Sequence, residues 1–143
     1  MQGRLLPKYQ GRYQAHPVGS WQKEFSIAKK IGLECIEFIL DFNEVELNPL
    51  VRDGGISEIQ SAINETGVQV KTICGDYFMK QPLHSADHEV AKRSLSTLRK
   101  LLTTAEQLSV TDIVIPCVDQ SSLNGEEDKR HFFSVIQSVM EDV

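Results

Sequence analysis

Residues 56–77 read ISEIQSAINETGVQVKTICGDY, and the hydrophobic period of this stretch changes once, at Gly67. Before the glycine, three isoleucines recur at the spacing of one helical face, which predicts a helix over 56–66. After the glycine, the β-branched residues of 68–74 favour a strand. A glycine at the junction is typical of a helix end, because it readily adopts the left-handed backbone conformation found there.

The same helix–strand unit recurs on both sides of this stretch. Further helices are predicted over 20–31, 85–108 and 124–143, further strands over 33–40 and 112–118, and there is room for a strand stub at 1–6. The predicted helix ends at Gly32, Gly67 and Ser109 lie about forty residues apart, as expected for a repeated βα unit. Such repeats imply a parallel sheet with right-handed crossovers. We therefore predict one α/β domain over 1–143, with regular strand pairing ending at Pro116, which lacks a ladder donor.

The composition excludes several classes of function. Lys and Arg number 15 against 20 Asp and Glu, and a net charge of −5 disfavours a protein whose main role is to hold nucleic acid. Apolar runs are far shorter than the ~20 residues of a membrane helix, and no secretory signal pattern is present. Cys35, Cys74 and Cys117 are too widely spaced for a disulfide framework or a zinc finger, so buried structural thiols are expected. We expect a cytoplasmic protein without nucleic-acid or membrane partners.

Polar side chains occur where the predicted strands end. In parallel α/β folds, ligands bind at the carboxyl ends of the strands. Carboxylates and amides at that rim suit a polyhydroxylated ligand, because they form several hydrogen bonds to hydroxyl groups. The candidate substrate-binding residues are Gln2, Arg4, Glu37, Asp76 and Asp119.

A structural alternative exists for some of these residues. Glu37 lies in an apolar run on the opposite face from Ile36 and Phe38, where a carboxylate is costly unless it is paired or faces a polar pocket. We favour a functional role for Glu37 and for Asp76, which follows a glycine that allows a sharp turn. Asp119 fits the role of a turn residue equally well.

Other site patterns are weak or absent. The four histidines do not form a metal-binding pattern, and no phosphate-loop, dinucleotide or nucleophile-elbow motif occurs. Lys8, Arg12 and Lys23 place positive charge near the first loop, which hints at an anionic group in the ligand.

An ordered set of stretches resembles the sugar phosphate isomerase/epimerase family of xylose-isomerase-like TIM barrels. These stretches are MQGRL (1–5), IEFILD (36–41), TGVQV (66–70), CGDYFM (74–79) with the following Pro82-Leu83, and IPCVDQSSL (115–123). The resemblance implies isomerisation or epimerisation beside a carbonyl, supported by a divalent metal. It also implies that Glu37 and Asp76 lie around a sugar phosphate, and that Gln2 and Arg4 lie at the end of the first strand.

The length of the chain limits what this resemblance implies. A (β/α)₈ barrel typically needs about 250 residues, so the match corresponds to the amino-terminal half, about half of a TIM barrel. In the resembled family the metal ligands come from the second half. We therefore expect this chain alone to bind no divalent metal and to have no isomerase activity.

The exposed edges of such a half-barrel favour pairing with another chain, so we expect a homodimer or a second-half partner. One alternative is a noncatalytic module that binds a small polar ligand or a partner through the same rim. The other alternative is a flavodoxin-like open sheet, but the phosphate-loop fingerprint of that fold is missing from the sequence.

Overall fold

The computed structural model describes residues 5–141. The elements in this part of the chain are α1 (Gln22–Lys30), β1 (Cys35–Ile39), α2 (Gly55–Thr66), β2 (Gln69–Cys74), α3 (Tyr77–Lys80), α4 (His88–Leu108), β3 (Asp112–Val114) and α5 (Glu126–Met140), with single 3₁₀ turns at Val45–Leu47 and Asp119–Ser121. Helices alternate with strands, which confirms the predicted α/β class.

The three strands form one parallel sheet in the order β1-β2-β3. This arrangement confirms the parallel sheet predicted from the repeated unit, and it corresponds to part of a TIM barrel. The register of β1 against β2 shifts between Ile36 and Glu37, so that Lys71 is an extra residue in β2. As a result, Glu37 lies opposite Thr72.

The helices cover one face of the sheet and enclose the core. The rings of Trp21 and Phe25 of α1 lie 5.9 Å apart, and Trp21 packs edge-on against Phe38 of β1 at 5.5 Å, a favourable aromatic geometry. Ile73 of β2 and Leu101 of α4 are fully buried in the same cluster. Because side chains alternate along a strand, the opposite face carries residues such as Glu37, Thr72 and Val114.

The helix ends are close to the predicted positions. Gly67 and Ser109 adopt the left-handed conformation at the ends of α2 and α4, with φ values of 78° and 54°. Helix α4 begins at His88, later than predicted, because the carboxylate of Asp87 accepts hydrogen bonds from the first free backbone N–H groups. Ser20 does not cap α1, whose N-cap position is occupied by Trp21.

The third strand is shorter than predicted. It ends at Val114 and does not continue to residue 118. The end before Pro116 was expected, because proline has no backbone N–H to donate to a neighbouring strand. The predicted strand stub at 1–6 lies mostly outside the described residues, and Leu5 and Leu6 form bends.

None of the three cysteines forms a disulfide within the described residues, and their thiols differ in burial. Cys74 is buried, whereas Cys35 and Cys117 are partly buried. Burial raises the pKa of the Cys117 thiol. A thiol with a raised pKa forms less of the reactive thiolate, which suits a structural role.

Candidate functional site

The carboxyl ends of the three strands open into a cavity of about 560 Å³. Residues from the segment before α1, from the loops after all three strands and from α3 line this cavity: Arg12, Gln14, Asp41, Phe42, Cys74, Asp76, Met79, Lys80, Val114, Pro116, Val118, Asp119 and Gln120. This is the edge of a parallel α/β sheet at which ligands bind.

Asp76 is positioned by a turn that is hydrogen-bonded to β3 and to the residue that follows β1. The N–H of Gly75 donates to the carbonyl of Val114 at 2.8 Å, and the N–H of Tyr77 donates to the carbonyl of Leu40 at 2.8 Å. The thiol of Cys74 donates to Asp76 Oδ1 at 3.1 Å. The half-buried carboxylate of Asp76 is thus fixed on the cavity wall and keeps acceptor capacity for a ligand.

Asp119 reaches the same cavity through the 3₁₀ turn that follows β3. Its backbone is left-handed, with a φ of 51°, a conformation that Asp tolerates better than most residues. The hydroxyl of Ser121 accepts from the N–H of Val118 at 3.2 Å and lies 2.9 Å from the carbonyl oxygen of Pro116. Asp119 is therefore a turn residue that also lines the cavity, and its role in substrate binding stays a prediction.

Glu37 lies away from this cavity. Its Oε2 accepts a hydrogen bond from the hydroxyl of Thr72 at 2.9 Å, across the β1–β2 pair. It borders a separate space of only about 10 Å³ beside His16. The structure therefore pairs this carboxylate with a neighbouring strand and does not bring it together with Asp76 and Asp119. Gln2 and Arg4 lie outside the described residues.

An ion pair between Arg12 and Asp41 forms one wall of the cavity. The guanidinium binds the carboxylate through both terminal nitrogens, with Nη2–Oδ2 at 2.7 Å and Nη1–Oδ1 at 3.4 Å. Neither residue is among the five candidate substrate-binding residues. The sequence does show Arg12 as part of the positive charge near the first loop, and it shows Asp41 as the last residue of the IEFILD stretch. Their pairing joins positions 29 residues apart, which no local pattern reveals.

Lys80 supplies a second cation. It is exposed at the end of α3, and its Nζ lies 5.5 Å from the centroid of the Phe42 ring, within range of a cation–π contact. Sequence reasoning misses this residue because α3, with four residues, is too short to show a helical period. The cavity wall thus combines the cations Arg12 and Lys80 with the carboxylates Asp41, Asp76 and Asp119.

Side chains that could ligate a metal are not clustered in the described part of the chain. Within residues 5–141, no three His, Cys, Asp or Glu side chains are grouped so that they could hold a metal. The same part of the chain contains no helix that is long and apolar enough to cross a membrane.

Comparisons with known proteins find relatives that carry the same name. No family model matches the chain. L-ribulose-5-phosphate 3-epimerase UlaE of Salmonella heidelberg (strain SL476) is 29% identical over 119 residues. The enzymes of the same name from Escherichia coli (strain SMS-3-5 / SECEC) and Shigella boydii serotype 18 (strain CDC 3083-94 / BS512) are 28% and 30% identical over 122 and 124 residues.

These matches cover most of this chain and less than half of each relative. They span 81–83% of the chain, whereas the chain spans only 42–43% of the length of the relatives. The partial coverage agrees with the parallel three-stranded sheet, which is part of a barrel. The relatives of this chain are thus L-ribulose-5-phosphate 3-epimerases, and the chain corresponds to a part of a xylose-isomerase-like TIM barrel.

Proposed function

We propose that this chain carries the sugar-phosphate-binding wall of an epimerase or isomerase that acts on a small phosphorylated ketose. The observation that carries the proposal is the cavity at the carboxyl ends of the strands, which Asp76, Asp119 and Lys80 all line. The relatives are epimerases of L-ribulose 5-phosphate by name, so this is the first ligand to test.

The charged groups of the cavity divide into two chemical roles. Asp76, Asp119 and Gln120 offer acceptors, and in the glutamine also donors, for the hydroxyl groups of a sugar. Lys80 offers a compact positive charge for a phosphate, and no carboxylate within ion-pair distance neutralises it among the described residues. Arg12 has five N–H donors in a planar fork, so its pairing with Asp41 leaves donors for a ligand.

We propose ligand binding without turnover for this chain by itself. Epimerisation beside a carbonyl needs a base, an acid and stabilisation of the charge that develops on oxygen. Residues 5–141 provide carboxylates, but their donor set does not fit a divalent metal that could stabilise that charge. A partner that supplies the second half of a barrel would complete the site, whereas a second copy of the chain would only repeat the residues already present. A cytoplasmic location is part of the same proposal.

Calorimetric titration with L-ribulose 5-phosphate and with unphosphorylated L-ribulose tests this proposal. We expect the phosphorylated sugar to bind more tightly, and we expect Lys80→Gln to weaken its binding about tenfold, equivalent to about 1.4 kcal/mol. The same substitution should leave the binding of L-ribulose unchanged. Lys30→Gln, at the exposed end of α1, is the matched control and should have no effect.

Two results would contradict the proposal. If the wild-type chain binds neither sugar, the cavity is not a sugar site. If it binds both sugars equally and tolerates Lys80→Gln, the phosphate contact is absent, and the noncatalytic polyol-binding module becomes the better description.

A further inference from the structure

A tight turn at residues 9–12 lies against the loop that follows β1. Tyr9 and Arg12 exchange two backbone hydrogen bonds, at 2.9 and 3.0 Å. Between them, Gln10 and Gly11 both have left-handed backbones, with φ values of 48° and 77°. Two consecutive residues of this kind form a type I′ turn, the two-residue reverse turn common in β-hairpins. Two backbone hydrogen bonds therefore close the turn, and Arg12 is its last residue.

The side chains of this turn are held by residues 41–44. Glu44 Oε2 accepts hydrogen bonds from the hydroxyl of Tyr9 at 2.9 Å and from Nε2 of Gln10 at 2.8 Å. Arg12 makes the ion pair with Asp41. One carboxylate thus holds the first half of the turn and another holds its end.

Glu44 makes these two bonds from a left-handed backbone, with a φ of 54°. This conformation costs free energy in a residue that is not glycine. Here it accompanies two charge-assisted hydrogen bonds to a single oxygen, and such bonds are stronger than those between neutral groups. The same interaction raises the pKa of Tyr9, chiefly through its hydrogen bond to Glu44. The local structure is thus built around the contact between Glu44 and the turn.

We propose that Glu44 is a positioning residue, which holds the turn at residues 9–12 so that the guanidinium of Arg12 stays on the wall of the cavity. Glu44 itself does not line that cavity. It acts on the ligand only through the turn and Arg12. The effect on ligand binding rests on the proposed sugar-phosphate function, whereas the effect on the turn does not.

Hydrogen exchange measures the turn without any ligand. The amides of Tyr9 and Arg12 should exchange several-fold faster in Glu44→Ala than in the wild-type chain, because their two mutual hydrogen bonds open more often. Glu44→Gln keeps an acceptor oxygen and should restore most of the protection. Glu46→Ala removes an exposed carboxylate two residues further on and is the matched control. Unchanged exchange in Glu44→Ala would overturn the proposal.

A thermodynamic cycle on binding tests the link to Arg12. Glu44→Ala should weaken the binding of L-ribulose 5-phosphate about fivefold, and Arg12→Met should weaken it at least as much. If Glu44 acts through Arg12, the double variant binds no worse than Arg12→Met alone. Additive losses, or faster exchange without any loss of affinity, would overturn the positioning role. Failure of the wild-type chain to bind the sugar phosphate would refute the proposed function instead, while the exchange result would still decide whether Glu44 holds the turn.

Discussion

The ion pair between Arg12 and Asp41 is asymmetric in its exposure to solvent. The side chain of Arg12 is 42% exposed, whereas that of Asp41 is 7% exposed. Asp41 Oδ1 also lies 3.4 Å from the N–H of Asn43, which donates to it. The carboxylate therefore depends on its partners for stabilisation, whereas the guanidinium retains access to water.

This asymmetry predicts unequal effects of removing the two partners. Arg12→Met leaves a buried carboxylate without its cation and should lower the free energy of unfolding by about 2 kcal/mol. Asp41→Asn leaves a cation that water can solvate, and it should cost only about 1 kcal/mol. Urea unfolding of both variants measures the difference. Equal losses, or a larger loss for Asp41→Asn, would contradict this interpretation of the pair.

The hydrogen bond between Tyr9 and Glu44 predicts a dependence on alkaline pH. The pKa of Tyr9 is raised above its ordinary value of 10.0, mainly because its hydroxyl donates to Glu44. The stabilisation is therefore fully present below pH 10 and is lost as the pH rises through the higher pKa of the folded state. The difference in phenolate absorbance between the wild-type chain and Tyr9→Phe isolates this titration from those of the two other tyrosines. Glu44→Gln should move the midpoint towards 10, and a midpoint that does not move would refute the assigned cause.

The turn after β2 leaves no room for a methyl group at Gly75. A Cβ on Gly75 would lie 2.8 Å from Cδ2 of Phe78 and 3.3 Å from the carbonyl oxygen of Val114. Gly75→Ala should therefore lower the free energy of unfolding by about 1–3 kcal/mol and displace Asp76. Gly125→Ala is the control, because nothing lies within 4 Å of the added atom and its φ of −158° is ordinary extended backbone. Thermal melting that ranks the two variants equally would contradict the close contact.

The different surroundings of the two carboxylates predict a separation of their roles. Asp76→Asn should weaken sugar-phosphate binding about tenfold, because it removes a charged acceptor from the cavity wall. Glu37→Gln keeps an oxygen that can accept from Thr72, so it should leave both binding and stability nearly unchanged. Calorimetry on the two variants makes the comparison. If Glu37→Gln impairs binding as much as Asp76→Asn, the ligand extends down to the space beside His16.

The order of elements was predictable because it depends on local signals. The change of period at Gly67, the left-handed end at Ser109 and the missing donor of Pro116 each act within a few residues. The partner of Glu37 was not predictable, because it depends on the register between two strands. Likewise, the Arg12–Asp41 pair depends on how a loop folds back over β1. The charged residues of the site could be identified in the sequence, but which of them contact each other depends on the tertiary structure.

The extra residue in β2 has a consequence for how the barrel segment can be altered. The carbonyl of Lys71 accepts from both the N–H and the hydroxyl of Thr111, at 2.9 and 3.0 Å, directly before β3 begins. These two hydrogen bonds fix the starting point of the third strand, whose last residue, Val114, lines the cavity. Deleting residue 71 would slide β2 by one position and turn its following side chains to the opposite face. Any graft or recombination of this segment with a related barrel therefore has to preserve the residue count between Val70 and Thr72 to keep the cavity residues of β2 and β3 in place.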